Sequence, residues 1–208
     1  MSADRLRFSF DGSFESAKKI LDRHAAQYAA VIVEPLCQGA AGMRMYPPSY
    51  LEALAKWCKK TGTLLIVDEI AMGFGRTGKM FAFEHADINP DIVCVGKALS
   101  AGYLPISATI VRNTIYKTFG DRPVNHTLQH GHTFSGNPIA AAAALEALNI
   151  YEEQKMAVRA QQMGALLKER LHSLTQWPQV KEVRCLGMIG AVELDVPPDK
   201  IIKIREEL

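Results

Sequence analysis

The sequence has no long apolar run, little net charge of either sign and no closely spaced pair of cysteines. Its longest uninterrupted apolar run, 139–145, has seven residues, most of them alanine, whereas a helix needs about 20 to cross a bilayer. The 24 basic side chains against 22 acidic ones leave a net charge of +2, which argues against a nucleic acid or a membrane surface as partner. The first residues, MSADRLRFSFDG, lack the apolar stretch of a secretory signal, so we expect a cytoplasmic protein.

The four cysteines, Cys37, Cys58, Cys94 and Cys185, form no C-x-x-C pair, and three of them lie inside apolar segments. This pattern argues against disulfides and against a zinc site. We expect reduced, buried thiols, and we interpret Cys37 as a small apolar filler rather than as a reactive group.

What the chain does have is the composition of a globular protein. Hydrophobic residues make up 48% and charged residues 22% of its 208 positions. A chain of this length buries roughly 70% of the surface that it exposes when unfolded, so one substantial core is available.

Three continuous apolar runs, Ala30–Val33, Leu64–Val67 and Ile92–Val95, are typical of buried strands. Between the first two, apolar residues recur at helical spacing from Leu51 to Cys58, after a proline pair and before a glycine, which predicts an amphipathic helix. Buried strands that alternate with helices indicate a mostly parallel sheet covered on both faces. We therefore predict an α/β fold.

The remaining pattern suggests an antiparallel strand and a second domain. The run Ile106–Val111 follows the third strand too closely for a helical crossover, so we expect it to lie antiparallel. Helical patterns then cover 137–174, two short strands follow at 180–185 and 189–194, and a new helix begins after residue 198. We predict a large domain over 1–154 and the start of a smaller α+β domain over 155–208.

Each of the first three strands is followed by a charged residue: Glu34, Asp68 and Lys97. In open α/β sheets, ligands bind beyond the carboxyl ends of the strands, so these residues are candidates for a site. On spacing alone, solvated charges at strand ends are the more frequent explanation.

A glycine-rich segment, Gly73–Gly78, matches the G-x-G-x-x-G pattern of dinucleotide-binding folds. Five residues separate it from the strand, whereas a dinucleotide fold turns at once, and the next strand ends at Lys97 instead of at an acid. Both features argue against a nicotinamide-dependent oxidoreductase. We expect the glycines to let this loop pass close to a ligand or to a neighbouring subunit.

Several segments together resemble the class III (ornithine-type) pyridoxal-phosphate aminotransferases. They are VIVEPLCQGAAGMRMYPPSYL, VDEIAMGFGRTGKMFAFEHADINPDIVCVGKALSAGYLPISATI, HGHTFSGNPIAAAAALEALNIYE and VRCLGMIGAVEL, and they cover nearly the whole chain. The resemblance implies the large domain of the aspartate-aminotransferase-like fold (fold type I), pyridoxal 5'-phosphate as cofactor, and transamination between a small amino donor and a keto acceptor.

The resemblance also implies roles for individual residues. Lys97 matches the lysine that forms the internal aldimine, Asp68 the carboxylate that pairs with the pyridine nitrogen, and Ile70 a side chain that packs on the cofactor ring. Glu34 matches a glutamate that pairs with a mobile arginine in many relatives and governs which substrate enters.

A further set of matches implies a homodimer with the site at the subunit interface. His132 and Thr133 match positions that hold the phosphate of the neighbouring subunit's cofactor, and Gly131 a position beside its substrate. The loop also contains His126 and His130, but it lacks the second cluster that a structural zinc site needs, so we predict no metal.

The family's chains extend further at both ends, so we expect a partial chain. Met72 stands where relatives usually have threonine. Two alternatives remain open: an ω-amino-acid aminotransferase of the 4-aminobutyrate type, and a non-catalytic remnant.

Overall fold

A computed structural model describes residues 13–120, 127–197 and 200. Its helices are α1 (Phe14–Arg23), α2 (Pro48–Thr61), α3 (Asn113–Gly120), α4 (Pro138–Glu153) and α5 (Met156–His172). Its strands are β1 (Ala30–Val33), β2 (Cys37–Gln38), β3 (Arg44–Met45), β4 (Leu64–Asp68), β5 (Ile92–Val95), β6 (Ala108–Val111), β7 (Val180–Leu186) and β8 (Ile189–Leu194). Short 3-10 helices lie at Ala25–Gln27, Ala82–Ala86, Lys97–Ser100 and Ser173–Gln176.

The central sheet has the strand order β1-β4-β5-β6. Strands β1, β4 and β5 are parallel, and β6 runs antiparallel to β5. The helical segment α2 connects β1 to β4, as a parallel crossover requires, whereas β5 and β6 are joined without an α-helix. The predicted α/β fold and its antiparallel fourth strand are confirmed.

Helix α2 covers one face of this sheet. Pro48 occupies its first turn, and Gly62 ends it in the left-handed conformation (φ 74°). Leu51 and Leu54 are buried against Leu65 and other core residues, and each such side chain stabilises the fold by about 1.5–3 kcal/mol. The predicted helix and its apolar face are confirmed.

The antiparallel hairpin β7–β8 packs against α5 and against the glycine-rich loop. A Cβ atom on Gly164 of α5 would lie 2.4 Å from the carbonyl oxygen of Gly187, and a Cβ on Gly187 would lie 2.4 Å from the carbonyl carbon of Thr77. Three backbone segments therefore meet with no room for a side chain between them.

Some predictions on organisation are not tested by the structure. The division at residues 154 and 155 falls between α4 and α5 and stays a prediction. The helix expected after residue 198 lies almost wholly outside the described residues. In the part of the chain that is described, no helix is long and apolar enough to cross a membrane.

Candidate active site

The sheet register brings the strand-end residues to one edge. Val33 pairs with Val67, and Asp68 pairs with Cys94, so Glu34, Asp68 and Lys97 all lie at or just beyond the carboxyl ends of parallel strands. Glu34 and Asp68 line the same open cavity, which has a volume of about 770 Å³. The structure thus places two carboxylates and a lysine where α/β sheets bind ligands.

Glu34 is held at both its backbone and its side chain. The hydroxyl of Tyr46 donates to the Glu34 carbonyl oxygen at 2.6 Å, and the backbone N–H of Gly39 donates to Oε1 at 3.3 Å. Burial raises the pKa of Tyr46 far above its usual value, so this hydroxyl remains a donor at any physiological pH. The turn between β2 and β3 therefore fixes where the Glu34 carboxylate points.

Asp68 ends β4 and is partly buried. Its Oδ1 accepts the backbone N–H of Ile70 at 3.0 Å. This local bond orients the carboxylate, and Asp68 lies in the wall of the cavity.

Lys97 opens the 3-10 helix Lys97–Ser100 in a left-handed backbone conformation, with φ of 44°. Such a conformation is unfavourable for a residue other than glycine and is frequent at functional sites. The side chain is exposed. Carbon atoms of Ile70 lie 3.5 and 3.6 Å from the position of a Cβ on Gly96, so Ile70 packs beside the residue that precedes Lys97. The hydroxyl of Tyr151 donates to the Ala98 carbonyl at 2.7 Å and ties this short helix to α4.

Gly131, His132 and Thr133 lie elsewhere, on an exposed turn before α4. The His132 N–H donates to Ser135 Oγ at 3.0 Å, and His132 Nδ1 accepts the Phe134 N–H at 3.1 Å. These contacts are internal to the turn, so within one chain they do not join it to the strand edge. His126 lies outside the described residues, and among those described no group of three His, Cys, Asp or Glu side chains is placed to hold a metal ion.

Sequence reasoning missed Glu69, which is fully buried directly after Asp68. Its carboxylate accepts the N–H groups of Ala82 at 3.1 Å and Phe83 at 2.8 Å. Burial nevertheless raises its pKa to about 7. The only sequence signal is a second acid at the end of an apolar strand, which does not reveal that it is buried. Glu69 fastens the 3-10 helix Ala82–Ala86 to the end of β4.

The glycine-rich loop makes the close approach that was expected, but to α5 of the same chain. Cβ atoms on Gly75 and Gly78 would lie 3.4 Å from the Cα atoms of Ala157 and Gln161. Both glycines have positive φ, at 87° and 92°. A Cβ on Gly73 would lie 2.9 Å from the Glu69 carbonyl oxygen. The motif therefore has a packing role here.

Comparisons with known proteins agree with this architecture. The family model "Aminotransferase class-III" matches residues 9–207. A relative named adenosylmethionine-8-amino-7-oxononanoate aminotransferase, from Staphylococcus aureus, is 43% identical over 183 residues, which are 88% of this chain and 40% of the relative.

Two solved structures show the same fold. An aminotransferase from Bacillus anthracis superposes with a TM-score of 0.87 at 36% identity, covering 93% of this chain and 46% of that one. An ornithine aminotransferase from Toxoplasma gondii superposes with a TM-score of 0.82, also at 36% identity, covering 95% of this chain and 46% of that one. The chain spans less than half the length of each of these three proteins. Its sequence and its fold agree with these proteins, and the chain belongs to the class III aminotransferases.

Proposed function

We propose that the protein of which this chain is a part is a pyridoxal-phosphate-dependent aminotransferase that moves an amino group from S-adenosylmethionine to 8-amino-7-oxononanoate, giving 7,8-diaminononanoate in biotin synthesis. The observation that supports transamination is the grouping of Glu34, Asp68 and Lys97 at one strand edge of a class III chain. The choice of substrates rests on the name of the Staphylococcus aureus relative.

The residues at this edge fit the cofactor. The Asp68 carboxylate, oriented by the Ile70 N–H, is suited to hold a proton on a pyridine nitrogen, because an adjacent negative charge favours the protonated ring. Ile70 offers an apolar surface beside Gly96. When bound, pyridoxal phosphate supplies an electron sink for the bond that breaks at the substrate α-carbon.

Lys97 is proposed to hold the cofactor covalently and, when released, to move the proton at the substrate α-carbon. Its exposed side chain and left-handed backbone suit a group that must reach a ligand outside the sheet. Glu34 faces the cavity and is proposed to select the incoming amine or carboxylate.

Gly131, His132 and Thr133 are proposed to act on the site of a second copy in a homodimer. Their turn is exposed and precedes α4, whose N-terminus is capped by Asn137 and favours anions. We also propose a cytoplasmic location, since all four cysteines are free thiols, as is usual in reducing compartments.

A second candidate is an ω-amino-acid or ornithine-type aminotransferase. The Toxoplasma gondii ornithine aminotransferase supports it, because it is 36% identical to this chain and covers 95% of it.

The test uses the complete protein loaded with cofactor. Amine transfer is measured from S-adenosylmethionine to 8-amino-7-oxononanoate and, in parallel, from ornithine and 4-aminobutyrate to 2-oxoglutarate. We expect turnover with the first pair. Turnover with the other donors alone would establish the second candidate, and no transfer from any of the three donors would contradict both candidates.

A further inference from the structure

Arg184 joins the C-terminal hairpin to a turn that borders the cavity. It lies on β7, and its side chain is only 14% exposed. Its Nε donates to the Met43 carbonyl at 3.1 Å, and its Nη2 donates to the Gly42 carbonyl at 2.9 Å. On the other side, Nη1 pairs with Glu193 at 2.7 Å and with Glu182. One guanidinium therefore bridges two segments that lie about 140 residues apart in sequence.

The turn held by Arg184 has an unfavourable backbone. Gly42 and Met43 both adopt positive φ, at 85° and 54°. Left-handed geometry costs a residue such as methionine free energy unless neighbouring contacts fix it. Besides the pairing of β2 with β3, the Met43 N–H donates to the Gly39 carbonyl at 3.2 Å and closes the turn. The two bonds from Arg184 are aimed at the carbonyl groups of these two left-handed residues.

The same turn shapes the proposed substrate site. Its first residue, Gly39, donates to Glu34 Oε1. Gln38, Ala40, Ala41 and Arg44 line the cavity together with Glu34 and Asp68. A shift of this turn therefore moves both the Glu34 carboxylate and one wall of the cavity.

We propose that Arg184 is a positioning residue for substrate selection: by clamping the carbonyls of residues 42 and 43, it holds Gly39 on Glu34 and fixes the cavity wall. The inference rests on the proposed function. A lysine at this position cannot replace the clamp, because a single ammonium lacks the planar fork that reaches two carbonyls and a carboxylate at once.

The experiment compares Arg184→Met and Arg184→Lys with Lys181→Met in the complete protein. Lys181 is a matched control because it pairs with Glu193, as Arg184 does, but bonds to neither carbonyl of the turn. Three readouts are taken: amide hydrogen exchange over residues 36–46, KM and kcat for the amine substrates, and the absorbance of the bound cofactor.

For Arg184→Met we expect exchange of the Gly39 and Met43 amides to accelerate about tenfold or more, as for loss of a hydrogen-bond clamp. KM should rise by a similar factor of about ten while kcat changes less than about threefold, because bound substrate still meets Lys97 and Asp68. Arg184→Lys should also show faster exchange and a higher KM, but by smaller factors. Lys181→Met should have the exchange rates, KM and kcat of the wild type. The absorbance of the bound cofactor should stay the same in all three variants.

Unchanged exchange over 36–46 in both Arg184 variants would overturn the proposal, as would a loss of kcat and cofactor absorbance with no rise in KM. If Arg184→Met does not fold, Arg184→Lys decides by the same criteria. If the wild-type protein transfers no amine, the proposed function fails, and the exchange measurement still decides whether Arg184 clamps the turn.

Discussion

The strand edge and the turn before α4 differ in how the rest of the chain holds their candidate residues. At the strand edge, Glu34 and Asp68 receive hydrogen bonds from their own chain and line one cavity. On the turn, His132 bonds only to near neighbours in the described structure, and the segment is exposed. A site built from strand ends is organised by the folding of one chain, whereas the turn is shaped locally and needs something outside it to act upon.

The largest effect on activity is expected from a substitution at the strand edge, at Lys97. In the complete protein, Lys97→Ala should abolish transamination, a loss of at least about a thousandfold, because covalent attachment and proton transfer both disappear. The fold should persist, since the side chain is exposed. Steady-state assays and circular dichroism test this, with Lys117→Ala on α3 as the control. Borohydride reduction that labels Lys79 or Lys117 instead of Lys97 would contradict the assignment.

Hybrid dimers sharpen the comparison further. Subunits carrying Lys97→Ala are mixed with subunits carrying both His132→Ala and Thr133→Ala. If the turn serves the neighbouring site, each hybrid contains one intact site, and random mixing should restore about a quarter of wild-type activity. Activity that stays at the level of the separate variants would show that the turn serves its own chain.

Removing the Asp68 charge should have the next largest effect. Asp68→Asn keeps an acceptor for the Ile70 N–H but loses the negative charge, and breaking a buried ion pair costs about 3–5 kcal/mol, so kcat should fall by two orders of magnitude or more. Asp87→Asn is the control, because Asp87 is exposed and asparagine tolerates its left-handed backbone. A near-wild-type rate for Asp68→Asn would remove the carboxylate from the mechanism.

Glu69 predicts a pH dependence of stability. Burial raises its pKa from 4.5 to about 7, so the native state binds more protons than the unfolded state between these values. Its contribution to the free energy of unfolding therefore falls as pH rises through this window, by up to about 3 kcal/mol. Urea unfolding at pH 5 and pH 8 should show a smaller decrease for Glu69→Gln than for the wild type or for the exposed control Glu146→Gln. Equal decreases would mean that Glu69 does not titrate in this range.

The smallest effect is expected when a glycine of the β7–β8 hairpin is compared with a glycine of the turn before α4. Gly187 and Gly136 both have positive φ, so alanine strains either by about 1 kcal/mol. A Cβ on Gly187 would collide with Thr77, whereas nothing lies within 4 Å of a Cβ on Gly136. Gly187→Ala should therefore lower the free energy of unfolding by about 1–3 kcal/mol more than Gly136→Ala. Similar melting temperatures for the two variants would contradict the close packing of the hairpin.

The sequence predicts those parts of the fold whose signal is local. Strands β1, β4 and β5 are continuous apolar runs, and α2 carries both helical spacing and end signals. The bounds of β1 and β5 agree with the prediction, β4 extends one residue further to Asp68, and α2 lies between the proline and glycine signals. Strands β2 and β3 have two residues each and give no periodicity, and sequence reasoning missed both. It also missed the eight-residue helix α3, although Ile115, Tyr116 and Phe119 are spaced to share one helix face.

The candidate site also has parts that the sequence predicts and parts that it does not. Strand-end charges are visible in the sequence, but the burial of Glu69 and the reach of Arg184 to residues 42 and 43 depend on contacts between distant segments. No sequence spacing encodes such contacts. The roles of the individual site residues stay predictions until the variants above are measured.

Helix α4 limits which insertions and deletions the chain tolerates. It begins at the turn that carries His132 and ends where Tyr151 bonds to the helix opened by Lys97. Its 16 residues span about 24 Å. Inserting or deleting one residue would rotate the turn by about 100° relative to Lys97 and shift it by about 1.5 Å. Surface loops absorb such changes, whereas a continuous helix transmits them, so the residue count of α4 fixes where the turn lies relative to Lys97.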